Sequence, residues 1–302
     1  MGLRFGLLGT GYWAAETQAA GLASHPDADL VAVWGRDPAK AETLAKRYGI
    51  TPYDDVDALL ADVDAVAVAV PPDVQAGLAL RAAEAGRHLL LDKPVALDTA
   101  MADQIVTAVD ERGLSSVVFF TNRFYGSIAD FLTATAATGD WHGARMTQFA
   151  SIFQPGNPYG LSPWRRERGG LWDIGPHALS VLWPVLGPVA EVTCVDAPRS
   201  TVHLTLRHTG GTVSTVSLTL DAPPQAGIRD CVFYGENGLA TLPGADGTAV
   251  DAFTKAVGEL VRDVAAGATR HPCDVRFGRD VVAVLEAAET ARREDRTVSV
   301  AA

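Results

Sequence analysis

Arg4-Phe5-Gly6-Leu7-Leu8-Gly9-Thr10-Gly11-Tyr12-Trp13-Ala14 is the stretch that decides the fold. A short apolar run passes directly into glycines at G-x-G-x-x-A spacing, which reads as a strand, a tight turn and the first turn of a helix. Gly9 permits the turn, Gly11 lets the backbone approach a pyrophosphate, and Ala14 allows helix and strand to pack closely. Amide groups at the helix N-terminus then point at the phosphates, with Thr10, Tyr12 and Trp13 along the same loop. The glycine spacing alone is a weak signal. Its place after the first strand, at the opening of a βαβ unit, makes it a dinucleotide-binding loop.

Outward from that loop, apolar runs without clean alternation recur at 30–35, 65–70, 87–91 and 116–120, as expected for strands covered on both faces. Asp37-Pro38 opens a helix that Gly49 closes, another follows Pro72 and ends at Gly86, and Asp98 caps a third that Gly113 ends. This rhythm predicts a parallel α/β sheet over residues 1–121. After residue 122 the texture changes. A helical pattern at 127–138 leads into 145–153, and alternating runs at 201–206 and 215–220 meet at a Gly210-Gly211 turn. Val and Leu fall on one face of these runs and Thr, Ser and His on the other. The pattern predicts an antiparallel sheet packed on helices by one face, its polar face meeting solvent or a partner subunit. Helices over 250–265 and 278–293 and a strand at 297–300 complete a second domain, 122–302.

Composition limits what such a chain binds. At 302 residues, 48% hydrophobic and 20% charged, it is long enough for two globular domains with separate cores. A net charge of -11 argues against nucleic acid and anionic membranes, which reward clustered Lys and Arg, and favours small-molecule chemistry. Three cysteines, Cys194, Cys231 and Cys273, match neither a disulfide framework nor a zinc ribbon. They read as buried small hydrophobes in a reducing cytoplasm. The apolar N-terminus is broken by Gly6, Gly9 and Gly11, unlike a signal peptide, and no stretch approaches the ~18 uncharged apolar residues of a membrane span. A cytoplasmic location is expected. No His/Cys/carboxylate cluster has ligand spacing, so no metal is expected.

Three places carry chemistry. In Leu89-Leu90-Leu91-Asp92-Lys93-Pro94 an ammonium group stands at the mouth of an apolar strand, costly for a charge unless it is used or paired. The second strand ends Trp34-Gly35-Arg36-Asp37-Pro38, without the Asp or Glu expected near Gly35 to read a ribose 2′-hydroxyl. Arg36 is placed to pair with a 2′-phosphate and cover the adenine, which favours NADP over NAD, while Asp37 reads as the N-cap before Pro38 in preference to a carboxylate that reaches the ribose. Far along the chain, Gly169-Gly170-Leu171-Trp172-Asp173-Ile174-Gly175-Pro176-His177 sets a carboxylate and an imidazole four residues apart. A helical or near-helical turn would put both on one side; Pro176 is either an early helix position or a distortion of that turn. A histidine beside apolar residues also has the plainer reading of a satisfied core group.

Together these residues resemble the Gfo/Idh/MocA family of glucose-fructose oxidoreductase, inositol dehydrogenase and rhizopine catabolism, over nearly the whole chain. The family's Glu-Lys-Pro motif is similar to Asp92-Lys93-Pro94, and its glycines followed by Asp-x-Gly-x-His are similar to Gly169-Gly170, Asp173, Gly175 and His177. The resemblance implies that Lys93, Asp173 and His177 form the catalytic group. It also implies that 122–302 binds substrate on an open, mostly antiparallel sheet that mediates dimers or tetramers. Val70-Pro71-Pro72-Asp73-Val74-Gln75 looks like the family's loop along the cofactor, which adds Pro71, Pro72, Gln75 and Asp92 to the cofactor-binding set. Gln75 stands where many members have His, and Asp92 shortens the usual Glu by one methylene. By similarity Asn122, Arg123, Trp164 and Arg165 flank the substrate, although either arginine equally suits an interdomain ion pair. His88, in the lead into the lysine motif, reads as structural.

The reaction implied is hydride transfer between nicotinamide and a hydroxyl-bearing carbon of a sugar, cyclitol or related polyol. A neutral imidazole, of ordinary pKa ~6.5, suits His177 as the base that takes the hydroxyl proton. Lys93 as ammonium would stabilise alkoxide charge, and Asp173 would hold a neighbouring hydroxyl or orient the other two; the Lys and His roles are exchangeable if the lysine is depressed enough to act as base. Two other classes share the fold: a regulator that binds nucleotide and ligand without turnover, and an NAD-dependent glycosidase. The first is expected to lack the lysine or histidine, and both are present here.

Overall fold

The structure, a computed structural model, describes residues 2–301 and divides into two compact units. The first takes the chain up to Phe124 together with Gly247–Arg279, and the second takes Tyr125–Asp246 and the chain from Asp280 onward.

The first unit holds six parallel strands, β1 (Leu3–Leu8), β2 (Ala28–Trp34), β3 (Thr51–Tyr53), β4 (Ala65–Val68), β5 (His88–Asp92) and β6 (Ser116–Phe119). Their order is β3-β2-β1-β4-β5-β6. The order reverses between β1 and β4, so the turn at Gly9 lies at the switch point of the sheet, where ligands of such sheets bind. β4 and Leu89–Leu91 are fully buried, which explains their unbroken apolar sequence. β3, three residues with Pro52 at its centre, is an edge strand too short and too exposed to leave a sequence signal.

Between the strands run α1 (Ala19–Ser24), α2 (Pro38–Tyr48), α3 (Val56–Ala61), α4 (Pro72–Glu84) and α5 (Thr99–Glu111). Asp37, Asp55 and Asp98 accept backbone amides at the starts of α2, α3 and α5. The turns leading into α1, Ala14–Gln18, are wound as π-helix, which the sequence pattern did not predict.

Residues 247–279, expected within a single second domain 122–302, pack instead with the first unit. The cause is an apolar stripe. The second unit supplies α6 (Gly126–Thr138), α7 (Pro163–Asp173) and α8 (Gly175–Leu186), after which α9 (Ala249–Ala266) returns to the first. α9 buries Ala252, Phe253, Ala256, Val257 and Leu260 there. Phe253 meets Phe119 edge-on at 4.9 Å, and a side chain at Gly21 would strike its ring. α10 (Val275–Glu294) is divided between the units at Arg279.

The sheet of the second unit contains β7 (Trp141–Phe149), β8 (Val189–Ala197), β9 (Thr201–His208), β10 (Val213–Thr219), β11 (Ile228–Gly235), β12 (Gly238–Thr241) and β13 (Val298–Ser299). They lie in the order β12-β11-β7-β10-β9-β8-β13, antiparallel throughout except for the β7–β10 pair. β9 alternates as expected, with Val202, Leu204 and Leu206 inward and His203, Thr205 and Arg207 outward. The segment expected over 145–153 sits four residues earlier as β7, because Gly139 and Asp140, both with positive φ, end α6 and start the strand. Among the described residues no helix is long and apolar enough to cross a membrane. The three cysteines are buried and free, and burial pushes Cys194 up to about 11 and Cys231 and Cys273 up to about 12.

Candidate functional site

The candidate cofactor residues of the first unit gather at the carboxyl edge of its sheet. Gly9 has φ 138 and lies against the Ala69 carbonyl, so a side chain is excluded by conformation and by space. Its amide donates to the Trp34 carbonyl at 2.8 Å, tying the loop to the end of β2. Gly11 is exposed, and a Cβ built on it would meet nothing within 4 Å. Open space beside bare backbone is what the approach of a diphosphate requires, so the loop fits a dinucleotide. Ala14 is fully buried under the helix, whereas Tyr12 stands exposed.

At the end of β2, Gly35 is buried and Arg36 exposed, and among the described residues no ion pair or hydrogen bond engages the Arg36 guanidinium. Asp37 is committed to the α2 cap, accepting the amides of Ala39 at 3.1 Å and Lys40 at 3.4 Å.

Lys93 follows β5 at the same edge, and its backbone is held from both sides. Gln75, one turn into α4 and 1% exposed, donates its amide hydrogens to the carbonyls of Asp92 at 2.6 Å and Pro94 at 2.9 Å. Its oxygen accepts the Asp92 amide at 3.1 Å. The Asp92 carboxylate accepts the Lys93 amide at 2.8 Å. Gln75, expected to line the cofactor, therefore has almost no surface to offer a ligand; its amide is spent on the two peptide groups that flank the lysine. Pro71 and Pro72 start α4 and so fix where Gln75 emerges. Asn122 is buried and Arg123 half-buried in the turn Thr121–Phe124 that follows β6, again at the carboxyl edge.

The second unit brings Tyr159, Trp164 and Asp173 together around Arg165. Asp173 ends α7, 7% exposed, and accepts the Arg165 Nε at 3.1 Å. The guanidinium lies over the Tyr159 ring at 5.2 Å and the Trp164 ring at 4.8 Å. Arg165 thus forms an ion pair inside its own unit, with Asp173 eight residues on. His177, half-buried, occupies the first turn of α8, beyond a break at Ile174, and Pro176 is an early helix position there.

The glycines of this motif set its geometry. Gly169, at φ 64 and ψ -162, kinks α7 in a region of backbone space kept for glycine. Gly170 lets the helix approach the Thr219 backbone of β10, where a Cβ would come within 3.2 Å. Tyr159 had no sequence signal, since its role follows from a loop folding back onto Arg165.

Residues 3–120 match the Gfo/Idh/MocA family, described as an oxidoreductase family with an NAD-binding Rossmann fold. Over these residues the chain belongs to the Gfo/Idh/MocA family. Among its relatives, a dTDP-3,4-didehydro-2,6-dideoxy-alpha-D-glucose 3-reductase of Streptomyces antibioticus is 31% identical over 62% of this chain and 57% of its own length. An inositol 2-dehydrogenase of Rhizobium meliloti is 36% identical over 41% of this chain and 38% of its own. The chain thus matches less than two thirds of the length of either. The scyllo-inositol dehydrogenase of Lactobacillus casei shares the fold at TM-score 0.84, with 17% identity over 100% of this chain and 99% of that one.

Proposed function

We infer that the protein is an NAD(P)-dependent oxidoreductase that moves a hydride between nicotinamide and a hydroxyl-bearing carbon of a sugar, cyclitol or related polyol. The observation that carries this reading is the fixed lysine turn, in which Gln75 and Asp92 grip the backbone around Lys93 at the carboxyl edge that also holds the open glycine loop. The names of relatives, a deoxysugar reductase and inositol dehydrogenases, support the substrate class.

A bound nicotinamide supplies the hydride donor or acceptor. The chain's own residues do the rest. His177 takes the hydroxyl proton, Lys93 hydrogen-bonds the same oxygen and stabilises developing negative charge, and Asp173, held by Arg165, orients the polar groups. Asn122 and Arg123 take substrate hydroxyls beside Lys93, while Gly9 to Ala14 carry the dinucleotide. NADP is favoured over NAD because Arg36 is exposed at the end of β2 and Asp37 is occupied at its cap. Tyr125–Asp246 and the chain from Asp280 onward form the substrate domain, and the second sheet is the surface of a homodimer or homotetramer.

The test is a panel of sugars and inositols with NAD and NADP, followed at the nicotinamide absorbance in the wild type and Lys93→Ala. Turnover of a polyol is expected in the wild type and its loss in the variant, with cofactor binding retained. A wild type that binds cofactor and polyol without turnover is a regulator, and product without net cofactor reduction marks the glycosidase.

A further inference from the structure

The last residue of β2 is followed by a position where dinucleotide-binding sheets often carry a ribose-reading carboxylate, and here it is Gly35. Its backbone does not require glycine, because its φ lies outside the left-handed range that disfavours side chains. Space does. A Cβ at Gly35 would stand 2.5 Å from the Thr10 methyl, 2.7 Å from the Thr10 hydroxyl and 3.2 Å from the Thr10 Cβ. Rotating Thr10 about χ1 exchanges one γ atom for another without clearing its Cβ, and β-branching makes that rotation stiff. Thr10 cannot retreat, because the neighbouring Gly9 is pinned to the Trp34 carbonyl and pressed on Ala69.

We propose that Thr10 sets which dinucleotide the chain takes: it fills the room a side chain at position 35 needs, keeps a carboxylate away from the ribose 2′ oxygen, and leaves that oxygen to Arg36. The inference rests on the reading of the loop as a dinucleotide site. Its chemistry is simple. A carboxylate at position 35 would accept a 2′-hydroxyl and repel a 2′-phosphate, whereas the exposed Arg36 guanidinium offers the phosphate paired donors. Glycine at 35 therefore reports the bulk of Thr10, and the two positions form one determinant split between the first turn and the second strand.

The test measures NADPH and NADH dissociation constants by nicotinamide fluorescence, with no turnover needed, on the full chain as wild type, Thr10→Gly, Gly35→Asp and Thr10→Gly/Gly35→Asp. Circular dichroism checks that each is folded. The wild type is expected to prefer NADPH, Gly35→Asp to weaken both dinucleotides by about tenfold or more, and the double variant to regain NADH and reverse the preference by about tenfold. If Gly35→Asp is too unstable to titrate, Gly35→Ala with and without Thr10→Gly reads the same steric coupling: weakened binding alone, recovery in the pair. Gly35→Asp binding NADH as tightly as the wild type, or a folded double variant no better than the single, overturns the inference. A wild type that binds neither dinucleotide overturns it together with the proposed function. Normal titrations with turnover preserved in Lys93→Ala would count against the proposed catalysis alone and leave this determinant standing.

Discussion

Gln75 shows how a buried side chain can fix the backbone of a candidate site. Its side chain makes three hydrogen bonds to the peptide groups on either side of Lys93, and no water reaches it to replace them. Gln75→Ala should cost about 1–3 kcal/mol in urea unfolding, the loss expected when buried partners are left unmet. It should also lower kcat at least about tenfold by loosening the lysine turn, since displacements of an ångström are felt in rate. A variant destabilised by that amount with kcat intact would separate the clamp from the chemistry. Arg165 plays the matching part for Asp173, through Nε and two aromatic faces. Arg165→Ala should cost about 1.5–3 kcal/mol for the lost charged hydrogen bond. Arg165→Lys should restore little of the activity, because an ammonium lacks the planar fork; steady-state kinetics on both variants distinguish positioning from simple loss of charge. Sequence made the lysine, the carboxylate and the histidine visible because motifs name them. The clamp and the ion pair stayed hidden because their partners are backbone groups or lie across a folded loop, and spacing carries no record of either.

At the scale of elements, the parallel strands were legible wherever burial on both faces forced an apolar run, and the alternating β9 and β10 wherever one face was dry. β3 and β12 escaped because three or four residues at a sheet margin carry no period, whereas the strand expected at 297–300 is present as β13. The π-wound turns before α1 escaped for a different reason: winding depends on how the helix seats on the sheet, which Ala14 and Gln18, both fully buried, do not announce in composition. The α7 kink was written in the sequence only as a glycine pair. Gly169→Ala places a side chain in backbone space reserved for glycine and should destabilise the protein by about 1–3 kcal/mol, measured by chemical unfolding. Because Asp173 and the start of α8 lie just beyond the kink, the same variant should lose activity beyond what its stability explains. An alanine variant as stable as the wild type would show that the kink is not fixed by this residue.

For the whole molecule, acidity is the readable variable. Burial holds His88 and His208 below the usual imidazole value; His88 accepts the Ser115 amide, and His208 bonds the Gly187 carbonyl and the Ser214 hydroxyl. Between their lowered folded values and the unfolded ~6.5, the unfolded chain binds more protons, so stability falls as pH drops through that window. Lower still, the carboxylates of Glu16, Asp57, Asp246, Asp251 and Glu294, each depressed by a hydrogen-bonded partner, withdraw their support as pH falls through their own folded values. Asp263, raised by burial, works in the opposite sense. Calorimetry should show Tm dropping by several degrees from pH 7 to pH 5, and His208→Gln should flatten that first decline; a flat Tm over this range would discount both histidines.

The return of α9 to the first unit matters most while the polypeptide is being made. Phe119 leaves the ribosome long before Phe253, the ring that covers it, with the whole of Tyr125–Asp246 translated in between. At roughly 5–20 residues per second that interval lasts on the order of ten seconds. Throughout it, the nucleotide half of the nascent chain has its strands but not its closing helix, and its exposed apolar seam is a natural binding surface for chaperones.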